Sequence, residues 1–299
     1  MGVRSALLAP DRATVERWAW ASVVANTVIV LTGGLVRLTG SGLGCPSWPR
    51  CTDESFVPHR ELGVHGVIEF GNRMLTYALI AVAIGTLIAA WRWTASTVMT
   101  RRLALGLALG IPFQGVIGGI TVLTDLNPWI VSLHLLLSMA LIAGSLLLVV
   151  RVRGVDTTPV PVRSVFFSRA TFAVLVVVVY LGTVVTGSGP HAGDAGSPRN
   201  GIDPHLMSHV HAAGVYVLVA LTLATVVALR GTSASRFAVL LLAAELLQGT
   251  IGFVQYFTDL PIALVAVHLV GAAVLVAAGT RLVLAVEAAD VTADEPSVV

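Results

Sequence analysis

The sequence predicts an all-α integral membrane protein of eight transmembrane helices, arranged as two tandem four-helix-bundle repeats. Three observations lead there. Of 299 residues, 56% are hydrophobic and 11% charged, with a mean hydropathy of +0.89, well away from soluble domains. Apolar stretches of the roughly 20 residues needed to cross the hydrocarbon recur along the chain. One block of sequence also returns at a constant offset: Gln114 to His134 matches Gln248 to His268 without a gap. The net charge of +2 carries no nucleic-acid footprint.

The spans read as Trp18 to Leu38, Leu62 to Trp93, Leu103 to Leu123, Pro128 to Val150, Phe166 to Thr186, His205 to Leu229, Phe237 to Phe257 and Leu260 to Val283. Residues 1–17 hold Arg4, Pro10, Asp11, Arg12, Glu16 and Arg17 with no separate apolar core, so the first span reads as retained. Arginines set the orientation. They mark the N-terminus (Arg4, Arg12, Arg17) and the second (Arg92, Arg101, Arg102), fourth (Arg151, Arg153, Arg163, Arg169) and sixth (Arg230, Arg236) connections. The odd-numbered connections are poorer in Arg, which puts both termini in the cytoplasm. The acidic residues 287–299 read as a disordered cytoplasmic tail.

Within the repeated block, Gln114/Gln248, Gly115/Gly249, Ile117/Ile251, Gly118/Gly252, Thr124 to Leu126/Thr258 to Leu260 and His134/His268 coincide. Thr39-Gly-Ser-Gly42 matches Thr186-Gly-Ser-Gly189 at the outer ends of the first and fifth spans. The chain then divides into an N-terminus (1–17), a first four-helix unit (18–150), a linker (151–165), a second unit (166–286) and the tail. An even number of crossings per unit gives the copies the same orientation.

Histidine carries the chemistry, because an imidazole inside a membrane is costly and marks a functional site by default. His134 and His268 lie about 6 to 8 residues inside the outer ends of the fourth and eighth spans, roughly 9 to 12 Å deep. The sixth span carries His205, His209 and His211; the second carries His65, Glu69, Asn72 and Arg73 on one stripe. Any one of these could simply bond a neighbouring helix. A His repeated in both units, opposite an imidazole of the sixth span, instead suits a porphyrin iron needing two axial nitrogens. Zinc would need more ligands than stand beside His268.

The stretch Gly33-Gly-Leu-Val-Arg-Leu-Thr-Gly-Ser-Gly-Leu-Gly-Cys45-Pro-Ser-Trp-Pro-Arg-Cys51, with Glu69-Phe-Gly-Asn-Arg73, Gly187-Ser-Gly-Pro-His-Ala-Gly-Asp194 and the repeated Gln-Gly…His, closely resembles the haem A synthase family from about Ala25 to Leu282. The resemblance implies oxidation of the C8 methyl of haem O to a formyl group, giving haem A for terminal oxidases. It implies haem b (iron) on His211 and His268, with His134 as one ligand of the substrate haem O in the first unit and Glu69 as the catalytic glutamate. Expected partners are the lipid bilayer, haem O and haem A, the haem O-producing enzyme and oxidase assembly factors, at a bacterial-type plasma membrane with the haem sites near the outer face.

Aligning Tyr77 with Tyr216 sets Glu69 against Ser208 and Asn72 against His211, so only the first unit has a carboxylate at that level. Pairing of Glu69 with Arg73 or Arg37 is the competing account; both arginines are also candidates for haem propionates. Asn72 stands where relatives commonly carry the second axial His. Either His65 joins His134 as the second ligand of the substrate haem, or that haem is five-coordinate, and His65 is the preferred choice. Cys45 and Cys51 fall in the first outer connection and are expected to form a disulfide, as a brace or a redox pair. The second cysteine pair common in relatives is absent from Gly189 to Pro204. Glu245 suits an interhelical hydrogen bond better than a proton route, and His191 is either a loop residue or a neighbour of a haem edge. A di-haem b electron-transfer cytochrome is the alternative function. A transporter fits worst, because its polar residues would gather at the midplane.

Overall fold

A computed structural model describes residues 10–154 and 159–293. Eight helices among the described residues are long and apolar enough to cross a membrane. They are α1 (Arg12–Leu38), α2 (Gly63–Arg92), α3 (Val98–Leu123), α4 (Pro128–Arg153), α5 (Val162–Ser188), α6 (Pro204–Ala228), α7 (Ser235–Phe257) and α8 (Ile262–Ala293). Local chemistry explains several starts. Asp11 accepts from the Thr14 N–H at 2.8 Å, Asn127 caps α4 with Pro128 in its first turn, and Asp203 caps α6 with Pro204 likewise. The Thr14 bond holds the Asp11 carboxyl below the usual carboxylate range.

Several helix ends shift by a few residues from the spans read in the sequence, as at Val98 for Leu103 in α3 and Val162 for Phe166 in α5, and two of the shifts have a local explanation. α1 begins at Arg12 rather than Trp18, because the Asp11 cap lets the polar turn 12–17 continue the helix. α8 runs to Ala293, so the backbone of 287–293 is helical rather than disordered; the segment is rich in alanine and meets no proline before Pro296. Residues 294–299, the rest of the expected tail, lie outside the described residues, as do 1–9 and 155–158.

Each half closes a ring of four helices in the same order. In the first, α1 packs on α2, α2 on α3, α3 on α4 and α4 on α1; in the second, α5 through α8 repeat that order. The halves meet where α4 lies against α8, with α1 also touching α8 and α5 touching α4. Val30, Met139, Ile142, Ala273 and Val276 fill this seam. Hydroxyl pairs tie helices across apolar surroundings: Ser22 to Thr86 at 2.8 Å, Thr171 to Thr225 at 3.0 Å and Ser132 to Thr183. Leu240, Leu247 and Val177 face outward, over half exposed, as a lipid-facing surface requires.

Candidate functional site

The repeated sequence block builds the same hairpin twice. After α3, Asp125 and Leu126 adopt φ of 52° and 60°; after α7, Asp259 and Leu260 adopt 58° and 55°. The Leu126 N–H donates to Thr121 O at 2.8 Å and the Leu260 N–H to Gln255 O at 2.9 Å, closing each helix end. The recurrent Thr-Asp-Leu is therefore a helix-reversal turn. It fixes the register of the next helix, and a glutamine locks that register. Gln114 Nε2 donates to His134 O at 3.0 Å, and Gln248 Nε2 to His268 O at 2.7 Å.

That register brings each imidazole against a glycine. A Cβ placed on Gly118 would lie 3.3 Å from His134 Cε1, and one on Gly252 would lie 3.3 Å from His268 Cε1. The second glycine of the repeated motif thus makes room for the ring. His211 is seated in the same way against Gly182 of α5, with a Cβ there 3.2 Å from its Cε1. All three rings lie near the starts of α4, α6 and α8, which run in the same direction, so they gather at one end of the bundle.

Buried imidazole nitrogens normally find partners. Nδ1 of His134, of His211 and of His268 is buried with no hydrogen-bond partner among the described residues. Among the described residues no group of three or more His, Cys, Asp and Glu side chains could hold a bare metal ion. Separate imidazoles on different helices, each seated against glycine, fit a large planar cofactor ligated from its faces better than a compact ion cage.

The α2 stripe does not act as one group, because the first connection folds back over its N-terminal end. Glu69, 5% exposed, takes the Cys45 N–H on Oε2 at 2.6 Å and the Arg73 guanidinium on Oε1 at 2.5 Å. Arg73 also donates to the carbonyls of Cys45, Ser47 and Arg50 at 2.8 to 3.0 Å, which commits all five of its N–H groups to the protein. Cys45 and Cys51 are disulfide-bonded inside the loop this arginine grips. Asn72 faces α1 and accepts from Thr32 Oγ1 at 2.8 Å, as His211 faces α5. His65 is exposed and bonds Ser41 Oγ at 2.8 Å through Nδ1, in a cavity of about 410 Å³ that Asp194 also lines. The structure links it to Ser41, not to His134.

Arg37 donates Nε to His191 O at 2.6 Å and Nη2 to Thr186 O at 2.9 Å, and His191 Nε2 meets Leu260 O at 3.0 Å. With the Gly42 N–H on Gly193 O, these bonds fasten the first, fifth and seventh connections together. His191 is thus a fastener between loops. Glu245 forms the interhelical bond read from the sequence, accepting from Thr222 Oγ1 at 2.8 Å. Sequence reasoning missed the ring-seating role of Gly182, which lies outside the repeated block. It also left His205, His209 and Tyr256 unconnected, although i, i+4 spacing signals the histidine pair.

Eight membrane-length helices, with three buried imidazoles near one end of the bundle, define a polytopic membrane protein. The chain belongs to the cytochrome oxidase assembly protein family (COX15-CtaA), whose model matches residues 16–65 and 59–198. It is 32% identical to the heme A synthase of Listeria welshimeri over 140 residues, 46% of either chain. It is 28% identical to that of Geobacillus kaustophilus over 146 residues, 48% of this chain and 45% of the relative. With the heme A synthase of Methylorubrum extorquens the identity is 30% over 224 residues, 62% and 57% of the two chains. The chain thus spans about half the length of the curated relatives it matches.

Proposed function

We propose that this protein is a haem A synthase that oxidises the C8 methyl of haem O to a formyl group. The observation that carries this reading is the pair of like-built halves with glycine-seated imidazoles whose Nδ1 atoms find no partner among the described residues, of which only the first sets a buried carboxylate, Glu69, at the level where the second has Ser208. The names of the relatives agree with it. When bound, haem supplies the redox chemistry that amino-acid side chains lack.

The division of labour is as follows. The two halves are copies of one unit. His211 and His268 of the second half (166–286) hold haem b, and His134 of the first half (18–150) ligates haem O. His65 is the candidate second ligand, reached by leaving Ser41; otherwise Asn72 sets the open face. Arg37, whose bonds to His191 and Thr186 use Nε and Nη2, is the better propionate partner, since Arg73 is fully engaged. Glu69, positioned by Arg73 and the Cys45 N–H, is the group that would accept a proton released on oxidation. The protein lies in the plasma membrane with both termini cytoplasmic and its haem sites toward the outer face, where the haem O-producing enzyme and oxidase assembly factors are its partners.

The same clamp on Glu69 favours one other reading: a di-haem b electron-transfer cytochrome in which that carboxylate only braces the loop. Expression in a bacterial host that makes haem O but no haem A separates the two. Haem A should appear in its membranes; its absence from a well-expressed, haem-loaded protein would overturn the synthase reading.

A further inference from the structure

His205 and His209 stand in the first two turns of α6, both exposed, with rings 5.9 Å apart and 19° from parallel. Residues four apart share a helix face with Cβ atoms about 5–6 Å apart, which lets two imidazoles reach one ion at the usual Zn–N distance of about 2.0–2.1 Å. Each ring is already oriented through Nδ1. His209 Nδ1 meets His205 O at 2.7 Å, and His205 Nδ1 meets the Tyr256 hydroxyl of α7 at 2.9 Å. The Tyr256 ring stands edge-on to both imidazoles, at 5.7 and 6.3 Å.

A carbonyl or hydroxyl on one ring nitrogen, leaving the other clear, is the outer-shell pattern of metal-ligating histidine. For His209 the carbonyl requires Nδ1–H and leaves Nε2 as the lone-pair donor; at His205 the Tyr256 hydroxyl can accept from Nδ1–H and give the same tautomer. We propose that His205 and His209 form a two-histidine site for a divalent transition-metal ion, oriented by Tyr256, with water completing the coordination. It is separate from His211, whose ring turns inward to Gly182. Two neutral imidazoles and no carboxylate select zinc, nickel or copper over magnesium, calcium or manganese, with copper bound most tightly. The first half carries Gly66 and Phe70 at the aligned positions, so the site belongs to one half alone.

The test titrates the detergent-solubilised, haem-loaded full chain with Zn²⁺ and separately with Cu²⁺, by calorimetry and by copper paramagnetic resonance. One ion per chain is expected, with two nitrogen couplings in the copper spectrum. Tyr256→Phe should weaken binding about 10-fold, and His205→Ala or His209→Ala more than about 100-fold, beyond the effect of losing an outer-shell partner. An unchanged haem spectrum in each variant establishes that the fold persists. Undiminished Zn²⁺ affinity in the double variant His205→Ala/His209→Ala, or Mn²⁺ binding as tight as Zn²⁺, would overturn the proposal.

Discussion

Replacing His268 by Ala is expected to leave the purified protein without its low-spin haem spectrum, and His211→Ala to do the same. Each imidazole is seated against a helix glycine and has no competing protein partner at Nδ1. Alanine fills neither the ring's place nor its coordination role, and a six-coordinate haem cannot survive the loss of one axial nitrogen. Gly252→Val should reproduce the effect indirectly, because its Cβ alone would stand 3.3 Å from His268 Cε1 and its methyl groups would force the ring aside. The visible spectrum of the reduced protein and its haem-to-protein ratio are the readouts. An unchanged low-spin haem b in both single histidine variants would remove His211 and His268 from the iron.

The second large effect is expected from Glu69→Gln. Gln retains an oxygen for Arg73 but presents an N–H₂ where Oε2 meets the Cys45 N–H, leaving one buried donor unsatisfied. That costs about 1–3 kcal/mol, felt locally in the loop held by Arg73 and the disulfide. Turnover should fall far more, by about 10²- to 10⁴-fold, the range attached to loss of a positioned acid–base group. Amide hydrogen exchange over 45–55 reports the first effect, and haem A formed per protein the second. Haem A formation at the wild-type rate, with faster exchange in the loop, would make Glu69 a brace.

The fold was legible where one physical rule dominates. Spans follow from hydrocarbon thickness, and the repeat from identical residues at Gln114/Gln248 and His134/His268, which the structure explains as a reversal turn, a register bond and a seated ring. Less legible was anything made by a connection folding back. The stripe His65, Glu69, Asn72, Arg73 reads as one polar face, yet its members go to Ser41, to the disulfide loop and to Thr32, because the first connection and α1 compete for that face. Spacing on one helix cannot reveal such competition. The start of α1 was hidden for a related reason: hydropathy marks where lipid begins, whereas the helix starts at the Asp11 cap.

The account turns on two unlike haem sites, one fixed and one that exchanges substrate for product. The direct measurement is to load the purified protein with haem O, incubate it with reductant and oxygen, and then extract and identify the pigments released and retained. The account predicts one haem b retained per chain, with haem O entering and haem A leaving the second site. Two equally retained b-type haems, with no haem A among the released pigments, would contradict it.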